Sequence, residues 1–97
     1  MQESEFRAVA LCQTLGSTTR YRILRLLAGG RLRPRDLQRK LGKSQSVISI
    51  HLAKLRAAGL VRFKREPDGL YYWHKTKGLT ALMLSIEKFV AGSATSN

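Results

Sequence analysis

Residues 34–59 read PRDLQRKLGKSQSVISIHLAKLRAAG, and two helices are written in that stretch. Pro34 has the fixed φ that suits a first helical turn, Leu37 and Leu41 lie one turn apart, and Gly42 stands where a left-handed residue ends a helix. Ser44 then offers its hydroxyl to the free N–H groups of a second helix, which runs to Ala58 and stops at Gly59. Only Lys43 and Ser44 lie between Gly42 and that helix's first turn, so the two helices must cross steeply, as in a helix-turn-helix. At about 100° per residue, Ile48, Leu52 and Leu55 fall on one narrow stripe and are expected to be buried. Gln45, Ser46, Val47, Ser49, Ile50 and Lys54 then face outward, and His51 sits at the core's edge as a partly buried structural histidine.

The flanks complete the architecture. Towards the N-terminus, Phe6, Val9, Ala10, Leu11 and Leu15 recur at helical spacing, with Ser4 as N-cap and Gly16 as the stop. Ser17 or Thr18 caps the next helix, whose Ile23, Leu24 and Leu27 form a buried stripe, with Arg20, Arg22 and Arg25 off it and Gly29-Gly30 at its end. Arg31-Leu32-Arg33 suits a short strand. After Gly59 the period changes to two: Val61 and Phe63 alternate with Arg62 and Lys64, Glu66-Pro67-Asp68-Gly69 turns, and Leu70 to Lys75 runs extended. From Lys77 to Ala91 a helical stripe returns in Leu79, Leu82, Met83, Ile86, Phe89 and Val90. The expected fold is mainly α with a β-hairpin wing, α-α-(β)-α-α-β-β-α. It is a winged helix-turn-helix over residues 1–92, with 93–97 as a flexible tail.

Ninety-seven residues with 43% hydrophobic content make one domain, not two. One cysteine and two histidines exclude an internal disulfide and a four-ligand zinc site of Cys and His, so no metal or other cofactor is expected. The longest apolar helical stretch is too short for a bilayer and is broken by Ser85, Glu87 and Lys88. The acidic opening MQESEF has no secretory pattern, so a cytoplasmic protein is expected. The net charge of +12 is concentrated: residues 20–77 carry +13, residues 1–19 carry −1 and residues 78–97 carry none. A basic middle between near-neutral apolar ends is the layout of a chain whose centre touches a polyanion.

The second helix of the pair has the polarity to enter a DNA major groove. Gln45 can bond adenine through two hydrogen bonds, Ser46 and Ser49 can bond any base, and Val47 and Ile50 can meet thymine methyls. Ser44 and the amides it caps can hold a phosphate. Arg62, Lys64 and Arg65 on the hairpin suit the minor groove beside it, though basic residues also protect an edge strand from aggregation. Arg33, Arg35, Arg39, Lys40 and Lys43 are candidates for the phosphate backbone. Tyr71, Tyr72 and Trp73 alternate in facing, so they form a hairpin core and no single-strand stacking platform. Cys12 is the one redox candidate, expected as a buried, inert thiol.

From Leu15 to Lys75 the chain resembles the ArsR/SmtB family of winged-helix repressors. The resemblance is carried by LGSTTRYRILRLL at 15–27, SQSVISIHLAKLRAAGLV at 44–61 and GLYYWH at 69–74. It implies a homodimer built from the first and last helices, through Phe6, Val9, Leu79, Leu82, Met83, Ile86, Phe89 and Val90. It further implies double-stranded DNA with an inverted repeat as partner, and an effector, here unknown, that releases it. The apolar stripe of the last helix points to a second copy independently. The metal-sensing members' Cys-x-Cys-Asp run is replaced by Leu32-Arg33-Pro34-Arg35-Asp36, and residues 76–97 hold no Asp or His, so those metal sites are absent. Val47 and Ile50 replace the family's usual Thr and His, so its base preferences do not carry over whole. No acid/base or nucleophile constellation supports an enzyme. The alternatives to a regulator are an architectural DNA-coating protein and a winged helix that docks RNA or protein.

Overall fold

The computed structural model describes residues 2–74 and 76–95, the side chains of 94 and 95 excepted. The chain runs α1 (Glu3–Leu15), α2 (Thr18–Leu27), α3 (Pro34–Leu41), α4 (Gln45–Ala57), β1 (Arg62–Glu66), β2 (Gly69–Trp73) and α5 (Lys77–Thr95). Local chemistry sets most of these boundaries. Ser17 Oγ accepts from Arg20 N at 3.2 Å and Ser44 Oγ from Val47 N at 3.2 Å, each satisfying an amide that its helix leaves free. At α3 the Asp36 carboxylate accepts the Arg33 N–H at 3.0 Å, with Pro34 in the first turn. Gly42, at φ +64°, takes the left-handed turn that allows α4 to start three residues later.

The core lies between the helix pair and α2. Ile23, Leu24 and Leu27 of α2 meet Leu37 and Leu41 of α3 and Ile48, Leu52 and Leu55 of α4, with Val61, Leu79 and Met83 closing the cluster. Each such side chain contributes roughly 1.5–3 kcal/mol when withdrawn from water. The hairpin is antiparallel, pairing Arg62 with Trp73 and Glu66 with Gly69 across the turn residues Pro67 and Asp68. Leu32 forms a single bridge to Tyr72 through two hydrogen bonds of 3.0 and 2.8 Å, the vestige of the expected Arg31–Arg33 strand.

The terminal helices lean on this body lightly. None of α1 is buried, although Leu11 and Leu15 pack partly against the core. Helix α5 inserts Leu79 and Met83, and Tyr21 then donates to the Met83 carbonyl and to Glu87, whose carboxylate also takes Arg25 Nε at 3.0 Å. Beyond that fastening Phe89 is 75% exposed. The radius of gyration, 14.7 Å, exceeds the roughly 12.5 Å expected of a compact chain of this length.

Several expectations change. Leu79 and Met83 belong to the protomer's own core and offer nothing to a partner. Phe63 does not follow Val61 inward; it is exposed on the outer strand, stacked on Tyr72 at 5.6 Å and covered by Arg56 at 4.7 Å. Helix α1 starts without a side-chain cap at Gln2 rather than at Ser4. Helix α5 continues to Thr95, so the helix occupies the first part of the expected tail; residues 96 and 97, like Lys75, lie outside the described residues. Leu55→Ala should lower the unfolding free energy by about 2–5 kcal/mol in urea titration. Leu84→Ala, on the exposed side of α5, should change it by no more than about 0.5 kcal/mol.

Candidate nucleic-acid interface

With Ile48, Leu52 and Leu55 buried, α4 has one possible rotation, and its outer face is fixed. Gln45, Ser46, Ser49, Ile50 and Lys54 are exposed, Ile50 by 55%. Val47 differs from expectation: it is half-buried, beside the tight turn that joins α4 to α3. Ser44 uses one acceptor site of its hydroxyl for capping and keeps its O–H proton for an outside acceptor.

Around this face the cations divide into tied and untied. Arg35, Lys40, Lys43, Lys54, Arg62 and Arg65 make no ion pair among the described residues. Arg39 pairs with Asp36 at 3.1 Å and Lys64 reaches Glu66 at 3.7 Å. Arg33, expected to be open to phosphates, instead reaches Tyr71 Oη at 2.9 Å and Asp68 at 3.7 Å. A cleft of about 370 Å³, lined by Arg35, Gln38, Gln45 and Asp68 among others, separates the start of α4 from the wing tip.

Arg20, which the sequence places only off the buried face of α2, ties α2 to α1. Its Nε donates to the Thr14 carbonyl at 2.9 Å and its Nη2 to Gln13 at 3.4 Å, closing the carbonyl end of α1. The signal was present: Gly16-Ser17 joins α1 to α2 so tightly that a base in α2's first turn must lie beside those carbonyls. Arg20 Nη1 also lies 3.5 Å from His51 Nδ1. Burial, followed by Arg20, Lys54 and Lys43, holds the His51 imidazole below its ordinary value.

Cys12 is exposed in the protomer, contrary to the buried thiol expected, because among the described residues nothing covers that side of α1. Among the described residues no three of His, Cys, Asp and Glu group as a metal site. Asp36, the one acid at the start of α3, is committed to the Arg33 N–H and to Arg39, so this segment does not fit a metal. Among those residues no helix is long and apolar enough to cross a membrane.

A helix pair joined by a tight left-handed turn, a polar outward second helix, an adjoining basic hairpin and untied cations around both define the class of winged helix-turn-helix nucleic-acid-binding domains. The profile of the bacterial regulatory proteins of the arsR family matches residues 17–62. The transcriptional activator HlyU of Vibrio cholerae is 35% identical over 72 residues, covering 74% of this chain and 67% of that protein. The chain belongs to the arsR family, as a transcriptional regulator with a DNA-binding winged helix-turn-helix. KmtR of Mycobacterium tuberculosis, an HTH-type transcriptional regulator, is 36% identical over 64 residues, which are 66% of this chain and 49% of that protein. The structure of Vibrio cholerae HlyU superposes with a TM-score of 0.81 at 29% identity, over 92% of this chain and 97% of that one. The homodimeric winged helix-turn-helix DNA-binding domain of Mb0332 from Mycobacterium bovis shares the fold at a TM-score of 0.77 and 23% identity, over 89% and 80% of the two chains.

His51 gives a pH test. Its folded-state pKa lies below the ordinary 6.5, so the unfolded chain binds the proton more readily. The contribution is fully present above pH 6.5 and is lost as pH falls through the window between the unfolded and folded values. In urea titrations at a series of pH values, His51→Gln should flatten the decline seen below pH 6.5; an unaltered decline would show that His51 is not its source.

Proposed function

We propose that two copies join through α1 and α5 and bind an inverted DNA repeat, repressing transcription by occupying it. The supporting observation is the outward face of α4: exposed Gln45, Ser46, Ser49 and Ile50 flanked by untied Arg35, Lys43 and Lys54. In this reading Gln45 and the serines bond base edges, and Ile50, with the half-buried Val47 at its side, meets thymine methyls. Arg35, Lys43, Lys54 and the O–H of Ser44 hold phosphates, and Arg62, Lys64 and Arg65 lie along the minor groove. The protein meets its DNA in the cytoplasm, where a bacterial chromosome lies.

The dimer is supported by what the protomer leaves uncovered. Phe6, Val9, Leu82, Ile86, Phe89 and Val90 are exposed, and an open groove of about 470 Å³ lined by Ala8, Leu11, Ala58 and Leu60 runs beside α1. One small domain rarely shows water so many large apolar side chains, and a two-fold partner covers them in pairs. Mb0332, which shares the fold, is itself described as homodimeric. Repression follows from occupancy alone, since a bound dimer excludes polymerase from the same DNA; HlyU carries the name of an activator, so transcription in vitro is the readout of sign.

The net charge of +12 also suits a protein that coats DNA without reading it, and one titration separates the two. Against a selected palindromic site and a scrambled duplex at two salt concentrations, a regulator shows a preference of about a thousandfold or more. Equal affinities with a steep salt dependence would leave only the coating protein. Gln45→Ala or Ser46→Ala should cost about 1–3 kcal/mol on the selected site and little on the scrambled one. Lys54→Ala should weaken both alike and lower the salt slope by about two per dimer. Ile86→Glu should give a monomer in size-exclusion chromatography at micromolar concentration and lose the preference for a palindrome.

A further inference from the structure

A two-stranded hairpin has little stability of its own. Here its base is held by the Leu32 bridge and by Tyr72 against the core. The tip, with Pro67 and Asp68, lies beyond both. What reaches it is Arg33, the residue before α3, whose backbone N–H is fixed by Asp36. Its Nε and Nη2 donate to Tyr71 Oη at 3.3 and 2.9 Å, and that hydroxyl donates its proton to Asp68 Oδ2 at 2.8 Å. The Arg31 guanidinium covers the Tyr71 ring at 4.1 Å and pairs with Glu66 at 3.4 Å. Gly69, at φ +149°, takes a backbone conformation that favours glycine, and the Arg33 side chain lies in ordinary contact distance of it.

We propose that Tyr71 is a positioning residue for DNA binding, whose hydroxyl joins Arg33 to Asp68 and so fixes the wing at one distance from α4. This rests on the DNA-binding function proposed above. Tyr71 stands directly opposite Lys64 in the ladder, with Leu70 opposite Arg65 next to it. Fixing Tyr71 therefore fixes Lys64 and Arg65, two of the three cations assigned to the minor groove. The clamp also serves charge. Asp68 at the tip is a carboxylate beside a phosphate path; the Tyr71 hydrogen bond, aided by Arg33 and Arg31, holds its pKa below the ordinary value, and the two guanidiniums supply compensating positive charge. Arg33 thereby leaves the set of phosphate ligands and acts through the wing.

Tyr71→Phe removes all three hydrogen bonds and leaves the ring under Arg31. In the free protein, amide hydrogen exchange at residues 65, 66 and 68–70 should accelerate by about tenfold while the amides of α2 and α4 keep wild-type rates. Binding to the selected palindromic duplex should weaken by about tenfold with the salt slope unchanged, since no phosphate contact is lost. Arg33→Gln should give a similar loss, and the double variant no more than either alone. Wild-type exchange at the tip in Tyr71→Phe would overturn the clamp. So would wild-type affinity in Tyr71→Phe combined with a slope lowered by about two per dimer in Arg33→Gln, the mark of a direct phosphate ligand. A wild-type protein that binds neither the palindromic nor the scrambled duplex would overturn the function itself. The exchange measurement, which needs no DNA, tells that failure from failure of the clamp.

Discussion

The burial of Ile48, Leu52 and Leu55 against α2 and α3 decides what this protein can touch. A helix buried along one narrow stripe has no rotational freedom, so every remaining residue of α4 acquires a fixed direction. Gly42 and Ser44 add a second restriction, because a left-handed turn followed at once by a capped helix start sets the angle between α3 and α4. Together they hold Gln45, Ser46, Ser49 and Ile50 to the outside on a rigid element. A rigid element is what base recognition requires, since hydrogen bonds to base edges tolerate little misalignment.

Helix α5 shows how one apolar stripe serves two purposes. Leu79 and Met83 lie on the edge that enters the protomer core, and Glu87, held by Tyr21 and Arg25, fastens the same side. Leu82, Ile86 and Phe89 lie on the other edge and remain exposed. The polar fastening sets the orientation of the free edge relative to α2, and through the core relative to α4. A partner that packs on that edge is thus placed relative to the DNA-facing helix through a continuous set of contacts.

Much of this was legible in the sequence for physical reasons. Caps and stops are local: Ser17, Ser44, Pro34 and Gly42 act on residues three or four positions away, and all four do in the structure what their chemistry suggests. Periodicity likewise placed Ile48, Leu52 and Leu55 inward. It identifies residues that share a face, however, and does not say which neighbour covers that face. Leu79 and Met83 therefore cannot be told from Leu82 and Ile86 by periodicity, nor can a buried Cys12 be told from the exposed one that the structure shows. The polar fastenings were least visible. Arg33 and Tyr71 are 38 residues apart, and Tyr21 and Glu87 are 66 apart. Charge composition showed many cations around the middle of the chain without separating those held by acids and hydroxyls from those left free.

The central claim is that two outward α4 helices are presented together at the spacing of successive major grooves. The most direct test is the distance between them in the assembled protein, read by pulsed electron resonance between spin labels at Ser46→Cys in a Cys12→Ser background. In the dimer free of DNA, so that the label at Ser46 meets no base, a narrow distribution centred at about 34 Å, one turn of B-DNA or its multiple, is predicted. A single label per particle, or two labels at a distance that no whole number of turns fits, would contradict it.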